Sequence, residues 1–200
     1  MLILKKIAIT GGLSCGKSAV CQILQKLGAY VVSADVIVHQ LFSPSSTLFQ
    51  PLIALLGEDV IQTGRIEPRL VASKVFSNQE TLKALEALIH PAVLEEIENQ
   101  AKQAPANTTL FVAEIPLLYE IEKDHLFDTV VAVVSDEKLA KKRFQEKTNH
   151  SMEEFEKRMT HQLPPSEKSA RADYTILNNG TLKDLEMEVK NLHQQINPGQ

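Results

Sequence analysis

Residues Gly11–Ser18 read GGLSCGKS, and this octet limits the chain's options more than any other feature. It fits G-x-x-x-x-G-K-[ST], with Gly11, Gly16, Lys17 and Ser18 at the fixed positions. Glycines let the backbone curl so that successive N–H groups point inward at phosphate oxygens. A helix N-terminus behind the loop adds its positive end. The context is right for such a cradle. Ile3–Thr10 is rich in Ile, Leu and Ala and predicts a buried strand. Val20, Ile23, Leu24 and Leu27 recur at helical spacing, and Gly28 stands where a helix stops. Tyr30–Val32 predicts a second short strand. A strand, loop, helix and strand in that order open an α/β domain.

The residues expected to touch a nucleotide are Gly12, Ser14, Cys15, Gly16, Lys17, Ser18 and Ala19. Lys17 is expected at the β- and γ-phosphates, and the Ser18 hydroxyl on Mg²⁺. Cys15 is read as filling space, although a thiol at a helix N-terminus can be acidified.

Further along, Leu110–Ala113 and Thr129–Val134 are continuous apolar runs, as in central parallel strands. Tyr174–Leu177 predicts a fifth strand, and Asn178-Asn179-Gly180 a turn. Thr181 with Asp184 starts the last helix, and Ser135, Asp136 and Glu137 open an earlier one. The stretch from Val36 to about Pro105 predicts helices without a central strand. Within it, Ser77 and Glu80 form a capping-box signature, as do Ser151 and Glu154 later. Pro91 is expected to end one helix and start the next.

Composition narrows the function classes. The 200 residues are 44% hydrophobic and 23% charged, which suits a globular fold with a core. The net charge of −4 argues against a nucleic-acid partner. No run approaches the ~18 apolar residues of a membrane span. The N-terminus MLILKKIAIT makes a poor signal peptide and a good first strand. Cys15 and Cys21 fall on different faces of a helix, so no disulfide or zinc spacing arises. A reducing, cytoplasmic setting is expected. The sequence leaves the oligomeric state open.

Asp35 follows the second strand, where a side chain at the C-terminal edge of a parallel sheet faces the cradle. It can take the proton of an acceptor hydroxyl, or cap a helix starting at Val36; the two roles are compatible. Glu114 ends the run LFVAE. It suits Mg²⁺ support, direct or through water, and equally a solvated surface; Glu120 is a weaker candidate. Lys141, Lys142, Arg143, Lys147, Arg158, Lys168 and Arg171 cluster in the last third. Single lysines there read as a solvated face. Arg143 is the candidate for phosphate contact from a closing lid.

Six motifs together resemble the dephospho-CoA kinase family. They are ITGGLSCGKS, SADVIVHQL, LEALIHPAV, EIPLLYE, RMTHQ from Arg158, and ADYTILNNG, in the family's order from about Ile7 to Gly180. The resemblance implies an α/β fold: a P-loop kinase core with a five-stranded parallel sheet, a helical substrate-binding insertion and a lid. The core would be 1–35 and 106–200, with the lid at about 144–170 and the acceptor-binding insertion at 36–105. The implied reaction is ATP-dependent phosphorylation of the 3′-hydroxyl of dephospho-CoA, with Mg²⁺. Asp35 matches the family's candidate base and Arg143 a lid arginine. Asp35, His90, Leu117 and Leu118 match its acceptor region, and His39 stands at a further acceptor-binding position.

This chain departs from the family pattern in places. Ser33 stands where an acid is usual, His39 and Lys147 where arginines are, and Ser14-Cys15 where Gly-Ser is common. Lysine cannot make arginine's bidentate phosphate contact. Rival readings are another small-molecule kinase with a nucleoside or nucleotide acceptor, and a nucleotide-binding switch without transfer activity. The absence of a guanine-specific NKxD signature counts against a GTPase switch.

Overall fold

The computed structural model describes residues 4–75, 78–148 and 151–197. In chain order the elements are β1 (Lys5–Gly11), α1 (Lys17–Lys26), β2 (Tyr30–Ser33), α2 (Ala34–Leu41), α3 (Phe49–Leu56), β3 (Ile61–Gln62), β4 (Arg65–Ile66), α4 (Pro68–Val75) and α5 (Gln79–Gln103). There follow β5 (Leu110–Glu114), β6 (Thr129–Val134), α6 (Glu137–Thr148), α7 (Met152–Met159), α8 (Pro165–Arg171), β7 (Tyr174–Leu177) and α9 (Leu182–Ile196). The chain divides into two units, Met1–Val32 with Gln103–Gln200, and Ser33–Lys102.

The first unit is built on a five-stranded parallel sheet of order β2-β5-β1-β6-β7. Ile7, Ala8 and Ile9 are wholly buried, as a strand covered on both faces requires. β1 pairs in parallel with β5 (Ile9 opposite Glu114) and with β6 (Gly11 opposite Val133). One face packs Ile7, Ile9, Val112, Val131 and Ile176 against Val20 and Leu24 of α1 and Leu185 and Val189 of α9. On β5, Phe111 stacks on Tyr30 of β2, ring centroids 5.8 Å apart.

Side chains of the ADYTILNNG stretch staple β7 to β6 at both ends of the pair. Asp173 Oδ2 accepts from the Val130 N–H at 2.7 Å, and Asn179 Oδ1 from the Asp136 N–H at 2.7 Å. Thr181 and Asp184 form a full capping box on α9. Ser151 caps α7 through the Glu154 N–H, while the Glu154 carboxylate turns to Arg158.

Three expectations for the second unit need correction. Pro91 does not break a helix: α5 runs through it for 25 residues. Leu85, Ile89, Val93, Ile97 and Ala101 form a buried row at four-residue spacing, while Pro91 and Ala87 face solvent. The carbonyl that Pro91 cannot bond is therefore left on the wet side. Burial of that row, about 1.5–3 kcal/mol for each large residue, outweighs the ~3 kcal/mol cost of an interior proline. Secondly, Asp35 is not an N-cap. α2 starts one residue earlier, at Ala34, so Asp35 lies in its first turn. Thirdly, the stretch is not purely helical, since it contains an antiparallel hairpin, β3–β4. Thr63 (φ 50°) and Gly64 (φ 76°) make its two-residue turn, the positive φ pair that matches strand twist. The capping role expected of Ser77 lies outside the described residues. Asn78 Oδ1 accepts from the N–H groups of Glu80 (3.0 Å) and Thr81 (3.1 Å) at the start of α5.

Candidate active site

The loop between β1 and α1 is shaped by two glycines. Gly11 has φ 142°, and a Cβ there would run into the Val133 carbonyl oxygen of the neighbouring strand. Gly16 has φ 102°, and a Cβ there would collide with Asn178 Nδ2. Both positions thus exclude side chains by close approach as well as by dihedral preference.

Lys17 opens α1 and is only 8% exposed. Its ammonium reaches back across the loop, donating to the Gly12 carbonyl at 2.8 Å and the Gly11 carbonyl at 3.2 Å. Ser18 follows, and its hydroxyl donates to Glu114 Oε1 at 2.9 Å. Glu114 is buried, not solvated. The parallel register of β5 beside β1 brings this carboxylate, remote in sequence, to the loop. A hydroxyl and a carboxylate oxygen are hard donors of the kind Mg²⁺ takes, and Mg²⁺ commonly uses few protein ligands with several waters and phosphate oxygens. Among the described residues no group of three or more His, Cys, Asp or Glu assembles as a metal cage.

Cys15 is buried within the loop. Burial pushes its thiol above the ordinary range, and the nearby Lys17 offsets only part of that rise. The acidified thiol allowed by its helix-terminal position is therefore not present. A cavity of about 380 Å³ opens beside the loop, lined among others by Gly12, Leu13, Cys15, Ser135, Met159 and Pro165. Leu13 packs on the small cluster of Ala140, Phe144 and Phe155 that joins α6 to α7.

Arg143, on α6, donates to the Asn178 backbone carbonyl at 3.0 Å and to Asn178 Oδ1 at 3.5 Å. Asn178 in turn donates from Nδ2 to the Cys15 carbonyl at 2.8 Å. It closes the AD-Y-x-I-x-N part of the ADYTILNNG motif, where the sequence reads a turn and assigns it no role of its own.

Lys168 corrects the expectation of a solvated face, for it is 0% exposed. Its ammonium donates to the Pro116 carbonyl at 2.7 Å and pairs with Glu120 Oε1 at 2.7 Å. Desolvation lowers its pKa, with Glu120 opposing the shift. Thr10 Oγ1 reaches the same Pro116 carbonyl at 3.2 Å, and Glu120 Oε1 also accepts from the Leu163 N–H at 2.8 Å. The Lys168–Glu120 pair and the shared Pro116 carbonyl therefore tie the end of β1, the PLLYE segment and α8 together. Within that segment Leu117 is half-buried and Leu118 wholly buried. Lys147 is exposed near the end of α6.

In the second unit, Asp35 and His39 are exposed on α2, with His39 in its last turn. His90 is half-buried on α5 beside the exposed Pro91. No helix among the described residues is long and apolar enough to cross a membrane.

Comparison with known proteins agrees with this arrangement. A family model described as dephospho-CoA kinase matches residues 5–184. A dephospho-CoA kinase of Protochlamydia amoebophila (strain UWE25) is 47% identical, covering 98% of each chain. Among solved structures, a Thermus thermophilus protein aligns with a TM-score of 0.84 at 30% identity, over 97% of this chain and 98% of that one. A dephospho-CoA kinase from Campylobacter jejuni aligns with a TM-score of 0.71 at 26% identity, over 97% of this chain and 98% of that one. With its cradle, Ser18–Glu114 pair and ordered motifs all inside the matched span, the chain belongs to the dephospho-CoA kinase family.

Proposed function

We propose that this protein transfers the γ-phosphate of ATP to the 3′-hydroxyl of the ribose of dephospho-CoA, releasing coenzyme A and ADP, the last step of coenzyme A synthesis. The observation that carries the reading is the intact phosphate cradle, Lys17 and the Ser18–Glu114 pair included, in a chain matched to the family over residues 5–184.

Phosphoryl transfer needs positioning and charge neutralisation more than covalent chemistry from the protein. Loop amides from Gly12 to Ala19 bind the triphosphate, and Lys17 neutralises charge on the β- and γ-phosphates. Ser18 and Glu114 would hold Mg²⁺, which when bound screens the phosphate oxygens that gain charge in the transition state. Asp35 accepts the proton of the attacking hydroxyl as general base. Arg143 acts from the base of a lid spanning about 144–170 and adds positive charge over the transferring group. His39, His90, Leu117 and Leu118, with the helical stretch 36–105, are assigned to the acceptor, as the family resemblance implies. His39 there carries a fixed positive charge only when protonated. Two free, buried cysteines support a reducing cytoplasmic setting.

The test is incubation with ATP, Mg²⁺ and dephospho-CoA, with mass detection of coenzyme A. Stoichiometric coenzyme A and ADP are expected. ADP release without coenzyme A, or faster turnover of a nucleoside acceptor, would overturn the assignment.

A further inference from the structure

The carboxamide of Asn178 is 7% exposed and makes two contacts that fix its orientation. Nδ2 donates to the Cys15 carbonyl at 2.8 Å, while Oδ1 accepts from Arg143 at 3.5 Å. A flipped amide would set oxygen against a carbonyl and nitrogen against a guanidinium, so only one orientation satisfies both neighbours. The Asn178 backbone is pinned as well. Its N–H donates to the Val134 carbonyl at 2.8 Å, and its own carbonyl accepts from Arg143 at 3.0 Å.

The Cys15 carbonyl belongs to the peptide unit whose nitrogen is that of Gly16. In a trans peptide the C=O and N–H point in opposite directions. A donor that holds the Cys15 carbonyl toward β7 therefore turns the Gly16 N–H the other way, into the concave side of the loop. A phosphate cradle works by converging such N–H groups. The close approach of Asn178 Nδ2 to Gly16 leaves that peptide little room to rotate.

We infer that Asn178 is a positioning residue for phosphoryl-donor binding: its side chain sets the Cys15–Gly16 peptide plane, and so aims one of the N–H groups that the triphosphate uses. The inference rests on the reading of ATP as donor. Its side chain touches the loop and Arg143, both assigned to the donor, so it concerns donor affinity and leaves the acceptor untouched.

Two variants separate this role from packing. Asn178→Ala removes the donor and opens space. Asn178→Asp keeps the volume and the oxygen facing Arg143, but sets a carboxylate oxygen against the Cys15 carbonyl. Steady-state kinetics with dephospho-CoA should give a KM for ATP raised about tenfold or more in both, the loss of one preorganised charge-facing donor. The KM for dephospho-CoA should stay within about twofold of wild type in both. Titration of each protein with a fluorescent ATP analogue and Mg²⁺ gives a second readout independent of turnover, and should show the same loss. If wild type binds the analogue but does not phosphorylate dephospho-CoA, the acceptor assignment fails while the titration still decides the role of Asn178. Near wild-type nucleotide affinity in Asn178→Asp would overturn the inference, as would KM values for the two substrates that rise together. If Asn178→Ala does not fold, the isosteric Asn178→Asp decides between the two outcomes by itself.

Discussion

Lys17, Glu114 and Asn178 are each less than a tenth exposed, whereas Asp35 and His39 stand exposed on a short helix of the other unit. The proposed donor side is assembled from buried groups that already hold one another: Lys17 on loop carbonyls, Ser18 on Glu114, Asn178 on Cys15. Such groups are oriented before any ligand arrives, and substituting one leaves a buried partner unsatisfied. The proposed acceptor-side residues on α2, being exposed, would take their working orientation from contact with substrate. Donor-side substitutions should therefore disturb binding, turnover and stability together, and acceptor-side ones turnover with little else.

The largest expected effect lies on the donor side. Lys17→Ala should lower kcat/KM for ATP by roughly ten-thousand-fold, the scale of losing a cation at a transferring phosphoryl group. Retention of more than a tenth of wild-type activity would remove the assigned role. Next, Asp35→Asn should lower kcat by about a hundredfold to a thousandfold, the usual range for a general base. Its nucleotide affinity and melting temperature should match wild type. A variant that loses ATP affinity in proportion would break the contrast drawn between the two sides.

Third, Lys168→Met should cost about 3 kcal/mol in urea unfolding, because it strands the Glu120 carboxylate in a buried setting. The double variant Lys168→Met/Glu120→Gln should recover most of that loss. Equal stabilities of the single and double variants would mean that the pair is not coupled. The smallest effect concerns the cap of α9. Hydrogen bonds from Thr181 hold the Asp184 carboxyl below its ordinary range. Its contribution is present above the unfolded-state pKa of about 3.9 and is lost as pH falls through the lower folded value. The stability difference between wild type and Asp184→Asn should therefore shrink on acidification. A difference that stays constant with pH would remove the assigned cause.

What is legible in the sequence divides along similar lines. All five core strands can be read because each is a short apolar run between turn signals, and the cradle because its residues are contiguous. Pro91 misleads because a local rule about proline carries no knowledge of the buried row from Leu85 to Ala101, which is visible only once the solvent face is known. The hairpin at Thr63–Gly64 escapes notice because two-residue strands carry no periodicity. Lys168 and Asn178 are hidden for a different reason. Their partners, Glu120 and Cys15, lie far off in the chain, and nothing adjacent to a lysine or an asparagine announces that it will be buried.

The two thiols have a practical consequence. Cys15 sits inside the cradle and Cys21 on the core face of α1, both shielded from solvent and both held protonated by their surroundings. Neither should react with a maleimide in the native fold, since the thiolate is the nucleophile. Alkylation rates then become a clock for local opening: modification of Cys15 ahead of Cys21 times the unlatching of the cradle alone, and simultaneous modification times the melting of the whole sheet.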